Sequence, residues 1–292
     1  MFPTPNKIIG SREDLIKSYI EQVNSLHTTT FSTKQVNTFR FCSYNVKYFK
    51  FENYTCENIK SFIDIINPDA FSLIEYDIKH DYIFKGIKDY NTVLFEQLPG
   101  YGIFSSHNNS KYILHNIDQK NLLSHGRYGN MNELRGFTHI TINLNKTFLN
   151  IFTVHLDVWD ESGSIRLQEI TELVDYIINK SLTNVLILGD FNEWDLKNTD
   201  NTYGASLVDF KRRTGLKHFS TQSHDFLKQN NFVNVFHLKE KYPKFSCWSG
   251  KLVDFCYLFK STWSDTIEIA DITMPFLPYS DHLPIVIDIK YK

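Results

Sequence analysis

Val185-Leu186-Ile187-Leu188-Gly189-Asp190-Phe191-Asn192 runs from an uninterrupted aliphatic segment into a glycine, a carboxylate and a carboxamide. An apolar run this short, bounded by polar residues, suits a strand covered on both faces, the pattern of a sheet enclosed between layers. Gly189 permits close approach of a neighbouring backbone, and Asp190 and Asn192 point the same way under strand periodicity. Alone, the segment reads equally well as an ordinary Asp/Asn turn. Its weight comes from its surroundings.

Helical spacing over 164–179 precedes this strand, and further helices are expected at 11–26, 55–66, 204–213 and 224–230. Strands are expected at 39–46, 70–75, 91–96, 101–105, 135–143, 148–154, 253–259, 265–270 and 284–289. The polar turn Leu144-Asn145-Lys146 favours antiparallel pairing of its neighbours, while helices interrupt at intervals rather than after every strand. Two packed mixed sheets flanked by helices are therefore expected. Residues 28–37 are polar and Thr-rich and read as a linker, dividing the chain into a helical extension and linker over 1–38 and a main domain over 39–292.

Apolar runs repeatedly end in residues that bind metals or move protons. Phe41-Cys42-Ser43-Tyr44 ends at Asn45, Phe71-Ser72-Leu73-Ile74 at Glu75, and Ile151-Phe152-Thr153-Val154 at His155 with Asp157 close behind. Asp254 interrupts the apolar run Leu252-Val253-Asp254-Phe255-Cys256, and Asp281-His282 precedes the final strand. Singly these read as polar strand ends, a solvated edge, a core histidine and an Asp-initiated turn. Together they fall at strand ends, which converge on one edge of a sheet protein, and oxygen ligands there suit a hard cation. A carboxylate buried like Asp254 needs a partner, and a histidine is the economical one; the residues leave open which.

At 292 residues with 42% hydrophobic and 22% charged, the chain is globular in composition, excluding disordered and coiled-coil classes. A net charge of −2 gives no overall field for a polyanion, so nucleic-acid binding needs a local patch. Lys211-Arg212-Arg213 with Lys217 is the densest basic cluster and could track a nucleic-acid backbone, but a solvated helix end is the better account of it. The four cysteines show no zinc-like spacing, which points to a reducing compartment. No secretory leader or membrane-length apolar run is legible, so a soluble, intracellular monomer is expected. Whether the N-terminal helix packs on the main domain or recruits a partner stays open.

In order, strand-Asn, strand-Glu, strand-His, Gly-Asp-x-Asn, strand-Asp and Ser-Asp-His resemble the endonuclease/exonuclease/phosphatase superfamily, the fold of deoxyribonuclease I, over residues 39 to 290. The resemblance implies a four-layer α/β/β/α sandwich and a catalytic domain that hydrolyses phosphate esters with Mg²⁺, Mn²⁺ substituting. It implies Glu75 and Asn45 as metal ligands, with Asp281 contributing directly or through water. Asp190 would activate the attacking water and Asn192 fix the scissile phosphate. His155 and His282 would serve the phosphoryl or leaving oxygens, each oriented by a carboxylate such as Asp254. Arg135, Asp157 and Trp248 are candidate substrate-binding residues.

His155 stands where abasic-site endonucleases of the superfamily carry Tyr, which points to the His-bearing branches. The run Lys251-Leu252-Val253-Asp254 lacks the Trp-Cys-Asp-Arg of inositol 5-phosphatases, and Glu193-Trp194 departs from their usual continuation. Phe104-Ser105-Ser106-His107 lacks the Ser-Arg pair of many relatives. The expected substrate is nucleic acid or a nucleic-acid end. A phospholipid or inositol phosphate, and a non-catalytic binding protein on the same fold, are the alternatives.

Overall fold

A computed structural model describes residues 12–49, 51–52, 56–76, 90–94, 101–106, 114–121, 135–158, 160, 162–193 and 220–292. The expected helix at 204–213, the basic cluster at 211–217, Trp194 and His107 lie outside them.

The described strands form two six-stranded sheets. The first contains β1 (Thr38–Asn45), β2 (Ala70–Ile74), β3 (Tyr90–Leu94), β4 (Tyr101–Ser106), β11 (Ile267–Thr273) and β12 (Ile285–Tyr291), in the order β11-β12-β1-β2-β4-β3. The second contains β5 (Leu114–Asn121), β6 (Gly136–Leu144), β7 (Thr147–His155), β8 (Val185–Asp190), β9 (Phe232–Asn234) and β10 (Asp254–Phe259), in the order β5-β6-β7-β8-β10-β9. Both are mixed. Each has one parallel pair at its centre, β1–β2 and β7–β8, and antiparallel pairs outside it.

Parallel neighbours need a crossover, and helices supply it. Helix α1 (Arg12–Ser25) precedes the sheets, α2 (Cys56–Ile66) links β1 to β2, and α3 (Ser164–Asn179) links β7 to β8. Helices α4 (Gln222–Gln229) and α5 (Val235–Leu238) follow β8. Leu173, Val174 and Ile177 of α3 join the main core with all of Val185–Leu188, so β8 is buried throughout, as its continuous apolar run requires. Phe62 and Ile66 of α2 close a second core on the first sheet, where the Phe62 ring meets Tyr44 and Phe71 edge-on at 5.7 and 5.1 Å. The expected α/β/β/α layering is thereby present.

Strand β1 shows how the layers aim a side chain. Phe39 and Phe41 enter the core shared with the second sheet, Cys42 and Tyr44 the core under α2. Period-two alternation therefore turns Asn45 toward the second sheet. Arg40 is buried in the same strand, its guanidinium donating twice to Asp288, from Nε and Nη2 at 2.7 Å, and from Nη1 to the Ile66 carbonyl at 2.8 Å. The turn after β6 has positive φ at Asn145 and Lys146, 49° and 73°, as a tight two-residue hairpin demands.

Helix α1 packs on the sandwich. Tyr19 and Val23 are fully buried in the main core, and the Tyr19 ring meets Phe51 and Phe245 edge-on at 6.0 and 6.2 Å. The segment after α1 continues along the loop that precedes β12, with Thr28 N–H donating to the Phe276 carbonyl at 3.0 Å.

Candidate active site

The two parallel pairs run in the sense that brings their carboxyl ends together. In the second sheet, His155, Asp190 and Asp254 form one row across β7, β8 and β10, because His155 is in register with Asp190 and Asp190 with Asp254. In the first sheet, β1 ends at Asn45, and β2 is followed directly by Glu75. Gly189 makes the approach possible: a Cβ there would lie 2.2 Å from the Val154 carbonyl oxygen and 3.1 Å from Cδ1 of Ile74 in the opposite sheet. Its φ of 134° is glycine's territory as well.

Across this junction Asn45 Nδ2 donates to Glu75 Oε1 at 3.0 Å and to Asp190 Oδ2 at 3.1 Å. Nε2 of His155 stands 3.6 Å from Glu75 Oε1 and 3.7 Å from Asp190 Oδ2. Nε2 of His282 stands 3.8 Å from the same Asp190 oxygen, while its Nδ1 is bonded to Asp254 Oδ2 at 2.8 Å. Asp254's histidine is thus His282. Ser246 fixes that pair: its hydroxyl accepts the N–H of Val253 and of Asp254, at 3.0 and 3.1 Å, and its carbonyl accepts the N–H of Leu283 at 2.7 Å.

Left-handed backbone occurs at four non-glycine positions here, as it does at turns elsewhere among the described residues. Lys47, Tyr48, Glu75 and Asn192 have φ of 45°, 53°, 52° and 49°. Such residues are strained by about 1–3 kcal/mol each and persist where their surroundings over-determine them. Glu75 and Tyr48 hold each other, the Glu75 carbonyl accepting the Tyr48 N–H at 2.6 Å.

The electrostatics separate the two histidines. Burial pushes the His155 pKa well below 6.5, and the Arg135 guanidinium and His282 push it further down. Arg135 is itself buried, with Nη1 2.6 and 2.5 Å from the two ring nitrogens of His155. Burial also opposes charge on His282, but Asp254 and Asp190 outweigh it and raise its pKa well above 6.5. For Asp190 burial is again the largest influence, raising its pKa to about 7; His282 and the Asn192 N–H pull it down, Asp254 and Glu75 push it up.

Ligand atoms of Glu75, His155 and Asp190 lie within 4.8 Å of one another, as do those of Asp190, Asp254 and His282. Glu75 and Asp190 share a single carboxamide donor, an arrangement of converging carboxylates that a divalent cation stabilises. The donor set therefore fits such an ion. Asp281, expected as a ligand, is engaged by the Lys47 ammonium, and the Asn45 Oδ1 accepts the Lys47 N–H at 3.1 Å.

The remaining expected residues stand farther from the row's centre. Asn192 donates from its backbone to Asp190 Oδ1 at 2.9 Å and from Nδ2 to the Leu156 carbonyl at 3.0 Å. Asp157 is buried and accepts the Asp160 N–H at 2.7 Å. Trp248 is half-buried against the main core and donates its backbone N–H to the Asp281 carbonyl at 2.7 Å. Lys47 belongs to the site without having been singled out from sequence, and Ser280, noted only as the first residue of Ser-Asp-His, gains a role there. Ser280 Oγ donates to the Asn45 carbonyl at 2.7 Å, tying the β12 loop to β1. The one signal for Lys47 was its place two residues beyond a strand-ending Asn.

No family model and no curated protein matches the chain by sequence. Solved structures match along most of its length. The human Nocturnin catalytic domain with bound sulfate aligns with a TM-score of 0.61 at 15% identity, covering 89% of this chain and 96% of that one. D. rerio TDP2 complexed with a single-strand DNA product aligns with a TM-score of 0.59 at 15% identity, covering 87% and 99%. An endonuclease/exonuclease/phosphatase family protein from Bacteroides thetaiotaomicron aligns with a TM-score of 0.60 at 11% identity, covering 88% and 99%.

Proposed function

The chain has the deoxyribonuclease I-like fold of the endonuclease/exonuclease/phosphatase superfamily, and on that premise we propose that it is a metal-dependent phosphodiesterase acting on nucleic acid or nucleic-acid ends. The observation that carries this reading is the convergence of Asn45, Glu75, His155, Asp190, Asp254 and His282 at the facing strand ends of the two sheets, with Nε2 of both imidazoles 3.7–3.8 Å from one Asp190 oxygen. Carboxylates and imidazoles gathered in this way suit metal-assisted proton transfer at a phosphate ester.

Glu75 would hold Mg²⁺, or Mn²⁺ in its place; Asn45, whose Nδ2 rather than Oδ1 faces Glu75 and Asp190, and Asp281, taken by Lys47, would have to reorient to join it. When bound, the ion supplies positive charge to the oxygens of the scissile phosphate. Asp190, titrating near neutrality, orients a water and takes its proton for in-line attack on phosphorus. His282, kept cationic by Asp254, donates to a phosphoryl oxygen or protonates the leaving oxygen. His155 stays neutral and offers a hydrogen bond without adding a charge. Asn192 steadies Asp190 through its N–H. Nucleic acid as substrate draws support from the TDP2 structure, which carries a single-strand DNA product.

The test is a panel of single- and double-stranded DNA, RNA, 5′-tyrosyl DNA, sphingomyelin and phosphoinositides, incubated with wild type and Asp190→Ala, with Mg²⁺ or with chelator. Metal-dependent cleavage of the nucleic acids alone, lost in Asp190→Ala, is expected. Turnover of the lipids alone would overturn the substrate class, and full activity in Asp190→Ala the site. Absence of turnover together with no calorimetric binding of Mg²⁺ or Mn²⁺ would make the chain a non-catalytic protein on this fold.

A further inference from the structure

Arg166 and Glu169 stand three apart near the start of α3, on one face of the helix, and between them they hold both backbone groups of Asp157, the second residue after His155. Arg166 Nη1 donates to the Asp157 carbonyl at 2.9 Å, and the Asp157 N–H donates to Glu169 Oε2 at 2.8 Å. Glu193 follows the Asp190–Asn192 turn directly and anchors the other side of the row. Its Oε2 accepts the Ser223 N–H at 2.9 Å, one of the N–H groups that the first turn of α4 leaves without a partner inside the helix. Its carbonyl lies 3.4 Å from His224 Nε2, and His224 Nδ1 is bonded to the Tyr257 hydroxyl of β10 at 2.7 Å. Glu193 Oε1 stands 3.8 Å from Arg166 Nε, with both side chains buried. Neither of those two atoms has a hydrogen-bond partner among the described residues, so what they offer each other is charge. Packing fixes the carboxylate: Gly163, at a φ of 81°, backs onto it so closely that a Cβ there would lie 3.1 Å from Glu193 Oε1 and 1.9 Å from Ser220 Oγ.

We propose that Glu193 and Arg166 are positioning residues, a buried ion pair that sets where Asp190 and Asn192 stand relative to His155. The inference rests on the reading of the row as a phosphodiesterase centre and adds to it two residues that act on the chemistry without touching substrate. Strands β7 and β8 are in register through His155 and Asp190, and two bonds continue the tie beyond them. The Leu156 N–H donates to the Asp190 carbonyl at 3.0 Å, and Asn192 Nδ2 donates to the Leu156 carbonyl at 3.0 Å. The ion pair is the next tie outward, with Arg166 holding the segment after His155 and Glu193 the segment after Asn192. Without it the turn at Asn192, with its φ of 49°, loses the anchor on its carboxyl side. A buried charge whose partner is removed is left uncompensated, so changing either member displaces the other. Both side chains lie behind the row, so alignment of the reacting groups suffers while substrate binding is spared.

The test measures kcat and KM on a single-stranded oligonucleotide at saturating Mg²⁺, well below each protein's thermal midpoint, for wild type, Glu193→Gln, Arg166→Lys and Arg40→Ala. Glu193→Gln keeps an acceptor for the Ser223 N–H and removes the charge. Arg166→Lys keeps the charge but lacks the guanidinium fork that reaches the Asp157 carbonyl and Glu193 together, and it carries the test alone if Glu193→Gln does not fold. Either variant should lower kcat by about 10- to 100-fold, the cost of displacing reacting groups by up to about 1 Å, with KM within about twofold of wild type. Arg40→Ala breaks a buried ion pair of the first sheet that does not belong to the row, and should lose stability while each folded molecule keeps its kcat. Wild-type kcat in the folded pair variants, or a raised KM with kcat unchanged, would overturn the positioning role. The side-chain amide NMR signal of Asn192 reads the turn without turnover: it should shift in both pair variants and stay in place in Arg40→Ala, and an unmoved signal in the pair variants would overturn the proposal as well. A shifted signal in a protein that hydrolyses no ester would keep the pair as the anchor of this turn and sink the phosphodiesterase reading alone.

Discussion

Replacing Gly189 with alanine tests whether the two sheets meet as closely as the site requires. The new Cβ would lie 2.2 Å from the Val154 carbonyl oxygen, 3.0 Å from the Val154 nitrogen and 3.1 Å from Ile74 Cδ1. The Ile74 methyl can rotate aside. The Val154 backbone cannot, because Val154 and Gly189 are in register on the parallel β7–β8 ladder. Holding an L-residue at a φ of 134° adds strain of about 1–3 kcal/mol, and overpacking the junction adds about 1–3 kcal/mol more. The sum, roughly 2–6 kcal/mol, is a large part of the ~5–15 kcal/mol that holds a typical domain together. Urea unfolding followed by circular dichroism gives the value through the midpoint and slope. Activity should fall further than stability, since Asp190 is the next residue and a displacement of about 1 Å at a reacting group costs about 100-fold. A loss below about 1 kcal/mol with an unchanged slope and intact hydrolysis would refute this account of the junction.

Other perturbations separate the site from its frame. Asp254→Asn removes the charge bonded to His282 at 2.8 Å and should lower kcat by about 10- to 200-fold, the equivalent of about 1.5–3 kcal/mol; steady-state kinetics at saturating metal checks it, and wild-type kcat would argue that His282 acts without this partner. Arg40→Ala should destabilise by about 3–5 kcal/mol, because it strands Asp288 without the guanidinium that bonds it twice, while the folded fraction keeps its activity; urea unfolding and specific activity together distinguish the two effects. Asp160 accepts the Ile165 N–H at 2.6 Å at the start of α3, and although burial alone would raise its pKa, bonds from the Ser162 hydroxyl and the Ile165 and Ser162 N–H groups, with Arg166 nearby, lower it. Its stabilising contribution is thus complete above the unfolded carboxyl value of about 3.9 and fades as pH falls through the lower folded value. Asp160→Asn should cost about 1 kcal/mol at neutral pH and flatten that acid limb, read from thermal midpoints between neutral and acid pH.

Much of the junction was legible because its strands are buried on both faces. Val185–Leu188 and Phe71–Ile74 are continuous apolar runs, and the polar residue that stops each run marks where the chain leaves the sheet. Register was not legible. That His155, Asp190 and Asp254 share one row, and that His282 rather than His155 is bonded to Asp254, depends on pairing between strands up to about a hundred residues apart. Asp254, read within an apolar run, begins β10, because the Val253 carbonyl is taken by the Phe191 N–H. Strand β5, Leu-His-Asn-Ile-Asp-Gln-Lys-Asn, and the short β9 went unexpected; β5 lacks any alternation of apolar and polar residues, and β9 is only three residues long. Lys47 escaped notice because a lysine just past a strand is ordinarily a solvated side chain, and only the return of the chain at Ser280-Asp281 shows what it meets. The free thiols of Cys42, Cys247 and Cys256 are buried, and among the described residues no helix is long and apolar enough to cross a membrane.

The central claim is that a water aligned by Asp190 attacks phosphorus, and it is tested most directly by running the cleavage of a single-stranded oligonucleotide in oxygen-18 water with Mg²⁺. The account predicts one labelled oxygen on the phosphoryl product from wild type, and neither product nor label from Asp190→Ala or from chelated wild type. Labelled product at the wild-type rate from Asp190→Ala, or product whose phosphoryl group carries no label, would contradict it.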